Sequence, residues 1–271
     1  MFYISVLPCL FPFFVASKFL IKLDSLNNVE KIFLPLTKRY ANTEKSAFVF
    51  FISLLSGFPV GVATACQLYS EEKIDKSDCE NLSILCNFAG PIFVLGTIGN
   101  FFESQKIAII LYVSSLFGAL TNALFFCKKS SFENKKPQTI IKTNNSNIFN
   151  ECINTSIGNI FFVGATITIF NLISKMIFNL LPPLPIELQA LLQGILEITT
   201  GSKAASQLNN KYLAIVMTAG FLGFGGICIF VQTAIFWQKA KLKPSSFLIK
   251  KATQAVASMF YCVILLAIFK I

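Results

Sequence analysis

Glu197 and Lys203 stand six residues apart in the run EITTGSK, inside an apolar stretch, 187–209, whose one other charge is Glu187 at its edge. A charged side chain near the middle of a bilayer costs about 2.5–3.5 kcal/mol on insertion scales, so such residues face a partner or a polar cavity. Three chemistries are open to them. They can pair with each other, Lys203 can hold a substrate carboxylate, or Glu197 can exchange a proton or a cation. Between them lie Thr199, Thr200 and Gly201, hydroxyls and a turn residue of the kind that ends one half-helix and begins another. A second interruption of this type is SGFPVG, with Ser56, Gly57, Pro59 and Gly61. A third is LCNFAGPIFVLGTIG, where Gly90 and Pro91 break a helix, free the carbonyls near residues 86–89, and leave the Asn87 amide at the same depth. Half-helix N-termini present unpaired N–H groups that suit carboxylate or phosphate; C-termini and unwound carbonyls suit cations. The candidate substrate site is therefore Ser56, Gly57, Pro59, Gly61, Asn87, Gly90, Pro91, Glu197, Thr199, Thr200, Gly201 and Lys203.

The elements that position these residues are membrane helices. Apolar residues form 54% of the chain and charged ones 13%, with a mean hydropathy of +0.67. A soluble domain of this length rarely reaches those values. Backbone groups in hydrocarbon must be satisfied within the segment, and long apolar runs without alternation favour helices over a barrel. The fold class expected is an all-α polytopic membrane protein. Apolar stretches lie near 1–21, 47–69, 82–99, 107–126, 158–181, 187–209, 212–237 and 253–269, each close to the roughly 20 residues a crossing needs. The net charge of +10 sits in short lysine clusters between these stretches. That pattern is a topology signal and gives no support to a nucleic-acid partner.

Counting lysines and arginines chooses between two topologies. If all eight stretches cross, the loops divide 11 to 9. If 47–69 and 187–209 are re-entrant hairpins, the inner loops collect 17 and the outer ones 3, which the positive-inside rule favours. Loops 22–46, 70–81, 127–150 and 238–252 are then cytoplasmic. Lys18, Lys175 and Lys203 lie within the stretches; Lys18 and Lys175 are near enough to segment ends to snorkel. The order helix, hairpin, broken helix, helix occurs in 1–126 and again, inverted, in 158–271, with a cytoplasmic linker at 127–157. About six spanning helices and two hairpins in an inverted-topology repeat are the architecture of many secondary transporters. Val29 to Arg39 and Ile148 to Ile157 read as interfacial helices. The glycines at 220, 223, 225 and 226 either break the seventh stretch or let it pack closely.

Enzymatic readings lack parts. The chain has no histidine, and Asp24, Asp75 and Asp78 all fall in loops, so no catalytic constellation and no cofactor is expected. The eight cysteines are scattered without a C-x-x-C pair and read as packing residues.

PCLFPFFVASKFL (8–20), SGFPVGVATACQLYSEEKI (56–74), LCNFAGPIFVLGTIG (85–99) and LLQGILEITTGSKAAS (191–206) together resemble the YlbJ/SpoVV family of sporulation integral membrane proteins, over nearly the whole chain. That family falls in the nucleoside-recognition or Gate-domain group and is similar in architecture to concentrative nucleoside transporters. The resemblance implies transport of dipicolinate from mother cell to forespore across the outer forespore membrane of an endospore-forming bacterium. It carries the family's tip residues onto Gly57, Pro59, Gly61, Asn87, Gly90, Pro91, Glu197, Thr199, Thr200 and Gly201. The partners expected are a small anion, the lipid bilayer and a coupling proton or cation. The alternatives are a nucleoside or nucleobase carrier, and a sporulation scaffold that transports nothing.

Overall fold

A computed structural model describes residues 7–23, 27–41, 43, 45–128, 145–243 and 246–270. Among them there are helices and turns, and no strands beyond a single antiparallel bridge between Gly57 and Ala89. The helices are α1 (Leu7–Leu23), α2 (Asn27–Thr37), α3 (Lys45–Ser56), α4 (Val60–Ser70), α5 (Lys76–Leu85), α6 (Pro91–Phe101, with a π turn over Val94–Ile98) and α7 (Gln105–Phe126). The second half holds α8 (Asn145–Leu180), α9 (Ile186–Leu196), α10 (Ile198–Ser206), α11 (Lys211–Phe224), α12 (Gly226–Lys239) and α13 (Phe247–Phe269).

Among the described residues, four helical stretches are long and apolar enough to cross a membrane: Gln105–Phe126, Ile148–Leu180, Lys211–Lys239 and Phe247–Phe269. The predicted first span is represented by the 17 residues of α1, since Met1–Val6 lie outside the described residues. Stretches 47–69 and 187–209 are each two short helices joined at a turn, α3/α4 and α9/α10. Stretch 82–99 is split into α5 and α6. Large apolar side chains face outward on α8 (Ile169, Leu172, Met176) and α13 (Val256, Phe260, Ile268), while Thr218, Gln232 and Thr233 of α11 and α12 are fully buried. Apolar outside and polar within is the arrangement that lipid as solvent selects.

Ile148–Ile157 does not form a separate interfacial helix. It is the start of α8, whose 36 residues span about 54 Å at 1.5 Å per residue, well beyond the ~30 Å of hydrocarbon. No proline interrupts the chain between Asn145 and Leu181, so nothing stops the helix at the membrane edge. Its projecting turns are tied to α1 by the Lys22–Glu151 ion pair and by an edge-on contact of Phe19 with Phe149. The predicted interfacial segment 29–39 corresponds to α2. Of the predicted linker, residues 129–144, with most of its lysine cluster, lie outside the described residues.

Helix α13 runs antiparallel to both α7 and α11. Against α7, Gly118 lies on Ser258, the Thr253 hydroxyl donates to Asn122 Oδ1 at 2.7 Å, and Thr121 shares a 2.8 Å hydrogen bond with Tyr261. Against α11, Gly220 meets Met259, and Gly223 meets Ser258 and the backbone of Gln254 and Ala255. These two glycines serve close packing. Gly225 and Gly226, with φ of +87° and +69°, instead break the α11/α12 stretch, so both readings of this glycine cluster hold for different members.

Candidate functional site

The first tip forms where α3 ends. Ser56 returns its hydroxyl to Ile52 O at 2.7 Å, and Gly57 N donates to Ser53 O at 2.8 Å. Gly57 then takes φ +71°, a conformation that side chains other than glycine's pay to adopt. Phe58 N donates to Phe88 O at 2.8 Å, and a cis Phe58–Pro59 bond leads into α4. The tip is thus laid against the α5/α6 break. A Cβ on Gly57 would overlap the Gly90 backbone; one on Gly90 would overlap the Ser56 carbonyl; one on Gly61 would collide with Ser53 Oγ and come within 2.7 Å of Cys86 O. Pro91 opens α6, where its missing N–H costs nothing. The seven first-half residues singled out by sequence, Ser56 to Pro91, form one assembly.

Of the freed carbonyls expected near residues 86–89, those of Asn87 and Phe88 have donors. Phe88 O takes the tip's N–H. Asn87 O accepts from Lys251 Nζ at 2.8 Å and from Gln254 Nε2 at 3.2 Å, and Lys251 also donates to Gln254 Oε1 at 2.9 Å. The Asn87 amide donates to Thr233 Oγ1 on α12 at 3.2 Å, and its Oδ1, also buried, has no hydrogen-bond partner. Lys251 is 3% exposed. Its side chain also runs beside the second break, 3.4 Å from where a Cβ on Gly225 would sit. One buried ammonium therefore stands between the two helix breaks.

Lys251 was counted among the loop cations of 238–252 by the topology argument; it belongs to the second turn of α13 and faces inward. The usable signal was its spacing. Lys251, Gln254, Ser258 and Cys262, three and four residues apart, fall on the buried face of α13, a polar stripe on an otherwise apolar helix.

At the second tip the turn sits at Leu196–Glu197, not at Thr199–Gly201. Glu197 is extended (φ −150°, ψ 125°) and caps α10 with its own carboxylate. Oε1 accepts from Thr199 N at 3.0 Å and Thr199 Oγ1 at 2.9 Å; Oε2 accepts from Thr200 N at 2.8 Å and Thr200 Oγ1 at 3.2 Å. The α10 N-terminus that could receive a substrate anion is filled by this side chain, which meets the unpaired N–H groups and the helix dipole together. Gly201 has another task. A Cβ there would overlap the backbone of Gly194, so it lets α9 and α10 cross closely. Lys203 lies exposed in the last turn of α10 and makes no ion pair with Glu197, so of the three roles open to these residues the mutual pairing is not formed. Lys18, expected to snorkel, is 8% exposed and without a hydrogen-bond partner.

The second tip packs on the second break as the first does on its own. A Cβ on Gly226 would lie 3.3–3.5 Å from Leu196 O, Gly194 O and Glu197 Cα. Phe58 of the first tip and Ile198 of α10 share an apolar cluster with Ala89 and Phe221. Among the described residues no hydrogen bond joins Glu197, Thr199 or Thr200 to the first tip. Asn87, Thr233, Lys251 and Gln254 form one polar link between the halves, and the Trp237 indole N–H, donating to Ser83 Oγ at 3.0 Å, forms another between α12 and α5.

No family model matches the chain, and no solved structure matches it. A curated protein does. Over 300 aligned positions the chain is 23% identical to the sporulation integral membrane protein YlbJ of Bacillus subtilis (strain 168), covering 96% of this chain and 74% of that protein. With four membrane-length apolar helices among the described residues and a buried polar centre, the chain is a membrane protein, and its similarity to YlbJ over nearly its whole length supports membership of that family of sporulation integral membrane proteins.

Proposed function

We propose that the chain is a carrier for a small anionic metabolite, dipicolinate (pyridine-2,6-dicarboxylate) foremost, moving it from mother cell to forespore across the outer forespore membrane without covalent chemistry. The observation that carries this is the Lys251 ammonium, buried between two broken helices. An ammonium has three donors; two acceptors engage it, Asn87 O and Gln254 Oε1, and an anion can take the third. The unpartnered Asn87 Oδ1 beside it is an acceptor for a substrate N–H or a water. Because Glu197 fills the α10 N-terminus, the anion's charge falls to Lys251, and Glu197 becomes the group able to couple a proton or cation. Uptake of labelled dipicolinate by liposomes holding the purified protein tests the function. Saturable uptake that unlabelled dipicolinate suppresses and nucleosides do not is expected; a folded preparation that takes up nothing rejects it. Imposed pH and sodium gradients identify the coupling ion.

The architecture proposed with it is six crossings, two re-entrant hairpins and an inverted repeat relating α1–α7 to α8–α13. Equivalent contacts support it. Tip one lies on the α5/α6 break and tip two on the α11/α12 break. Helix α3 touches α6 as α9 touches α12, and α4 touches α12 as α10 touches α6. Gly61 and Gly201, each four residues past its tip, both sit where the arms of their hairpin approach closely. Labelling tests the hairpins. In a background without reactive cysteines, single cysteines at Lys38 and Lys76 are expected to be equally protected from an impermeant reagent on intact cells, with Pro183 and Asn209 labelled. Opposite behaviour of Lys38 and Lys76 means that 47–69 crosses fully, and the hairpin falls.

A further inference from the structure

A crevice of about 190 Å³ lies away from the helix breaks, between α1, α4, α8 and α12, lined among others by Phe14, Lys18, Gln67, Asn159, Phe236 and Lys239. Its electrostatics are unbalanced. The neighbouring carboxylates are engaged by other lysines, Glu151 by Lys22 and Glu71 by Lys73, and the Gln67 amide also donates to Glu71 at 2.9 Å. Among the described residues, Lys239 has only the neutral Asn159 Oδ1, at 3.3 Å, and the face of Phe236, 5.6 Å from the ring centre. Lys18 is more than nine-tenths buried, and its Nζ has no hydrogen-bond partner. An ammonium taken from water without a partner is costly, and a lysine stem four carbons long can usually reach solvent. Holding it here is explained by a ligand that supplies the missing negative charge.

The walls say what kind. Phe14 and Phe236 pack together, ring centres 6.2 Å apart, as one aromatic wall. The volume is below the ~300–1,000 Å³ of drug-sized pockets, which limits the ligand to about one ring with its substituents. Two separate cations call for two anionic groups. We propose that this crevice binds a small planar dicarboxylate, one carboxylate on Lys18 and the other on Lys239, with its flat face on Phe14 and Phe236. The crevice lies at the ends of α1, α4 and α12 that adjoin the loops assigned to the cytoplasm. Resting on the carrier reading given above, it is the receiving site on the mother-cell side, distinct from the Lys251 centre.

The experiment is calorimetric titration of the full chain, in nanodiscs of neutral phosphatidylcholine, with dipicolinate and with pyridine-2-carboxylate. Charge-assisted pairs are the strong ones, so Lys18→Met and Lys239→Met are each expected to weaken dipicolinate at least about tenfold, with Lys18→Arg closer to the parent. The monocarboxylate is expected to bind weakly and to respond to only one of the two substitutions. Lys18→Met removes no partner from anything, so the ligand-free variant is expected to melt no lower than the parent; a purely structural lysine would give the reverse. A flat titration of the parent, or parental dipicolinate affinity retained in both variants, overturns the proposal. So does Lys18-dependent stabilisation by phosphatidylglycerol with none by dipicolinate, which assigns the crevice to a lipid headgroup. Liposome uptake separates this from the carrier reading: Lys18-dependent binding without uptake rejects transport alone, and uptake indifferent to Lys18 rejects the crevice alone.

Discussion

Lys251→Met is expected to reduce dipicolinate uptake by more than about a hundredfold while leaving the protein folded. The ammonium donates to Asn87 O and Gln254 Oε1, which leaves its third donor for the proposed substrate. Hydrogen bonds to a charged group contribute about 1.5–3 kcal/mol each. Losing the one made to substrate, together with the alignment of Asn87 that the other provides, passes the ~2.8 kcal/mol that corresponds to a hundredfold. Methionine keeps the stem and its packing. No carboxylate partners Lys251 among the described residues, so the substitution strands no opposite charge, and Gln254 Nε2 continues to serve Asn87 O. The change in thermal stability should therefore be small beside the change in rate. Arginine is not expected to rescue, since a planar fork cannot replace a compact point charge in a site closed by Gly225 and Gln254. The paired measurement is uptake rate and melting temperature in one preparation. Full uptake in Lys251→Met removes the central cation from the mechanism, and a collapsed melt with proportionate loss of uptake makes it a structural lysine only.

The path to Lys251 shows where sequence patterning succeeds and where it stops. Interruptions made by glycine and proline are local events, so the turn at Gly57–Pro59 and the breaks at residues 86–90 and 225–226 were legible in short windows. Even the fate of the freed carbonyls was half visible, because Asn87 was expected at that depth; its donors, 164 and 167 residues further on, were not. The second tip was misplaced by a few residues for a physical reason. In TTG the glycine looks like the turn, yet Gly201 answers to Gly194 across the hairpin, while the real stop is a carboxylate folded back on its own helix. A capping glutamate and a glutamate awaiting a cation read alike in sequence. Charge counting grouped Lys251 with its neighbours in KAKLKPSSFLIKK, and snorkelling was assumed for Lys18, because both rules know distance along the chain and not which face of a helix is covered.

The contact between Gly57 and Gly90 sets what can move, and Gly57→Ala is the substitution that reports on it. Two penalties coincide there. An alanine at φ +71° costs about 1–2 kcal/mol in backbone strain, and its Cβ would overlap the Gly90 N and Cα, which are backbone and cannot swing aside as a side chain would; forced overpacking adds about 1–3 kcal/mol. A loss of about 2–5 kcal/mol is a large part of the marginal stability of a folded chain, and the expected result is little or no folded protein after detergent extraction. Gly158→Ala is the internal control. It lies within α8 with open space where its Cβ would go, and there alanine is expected to be neutral or to stabilise by up to about 1 kcal/mol, the ordinary helix preference. Both are read by monodispersity on gel filtration and by melting temperature. Equal behaviour of the two variants dissolves the lock between the first tip and the broken helix. If they differ as expected, hairpin α3/α4 and helices α5/α6 travel as one body, since a backbone-to-backbone fit has no side chains to reshuffle. By the same logic Gly226 joins the second tip to α12, at the looser 3.3–3.5 Å. Motion between the two bodies must then disturb the hydrogen bonds that join them, Asn87 to Thr233 and Trp237 to Ser83, and in the proposed carrier the first of these adjoins the Lys251 ammonium offered to the anion.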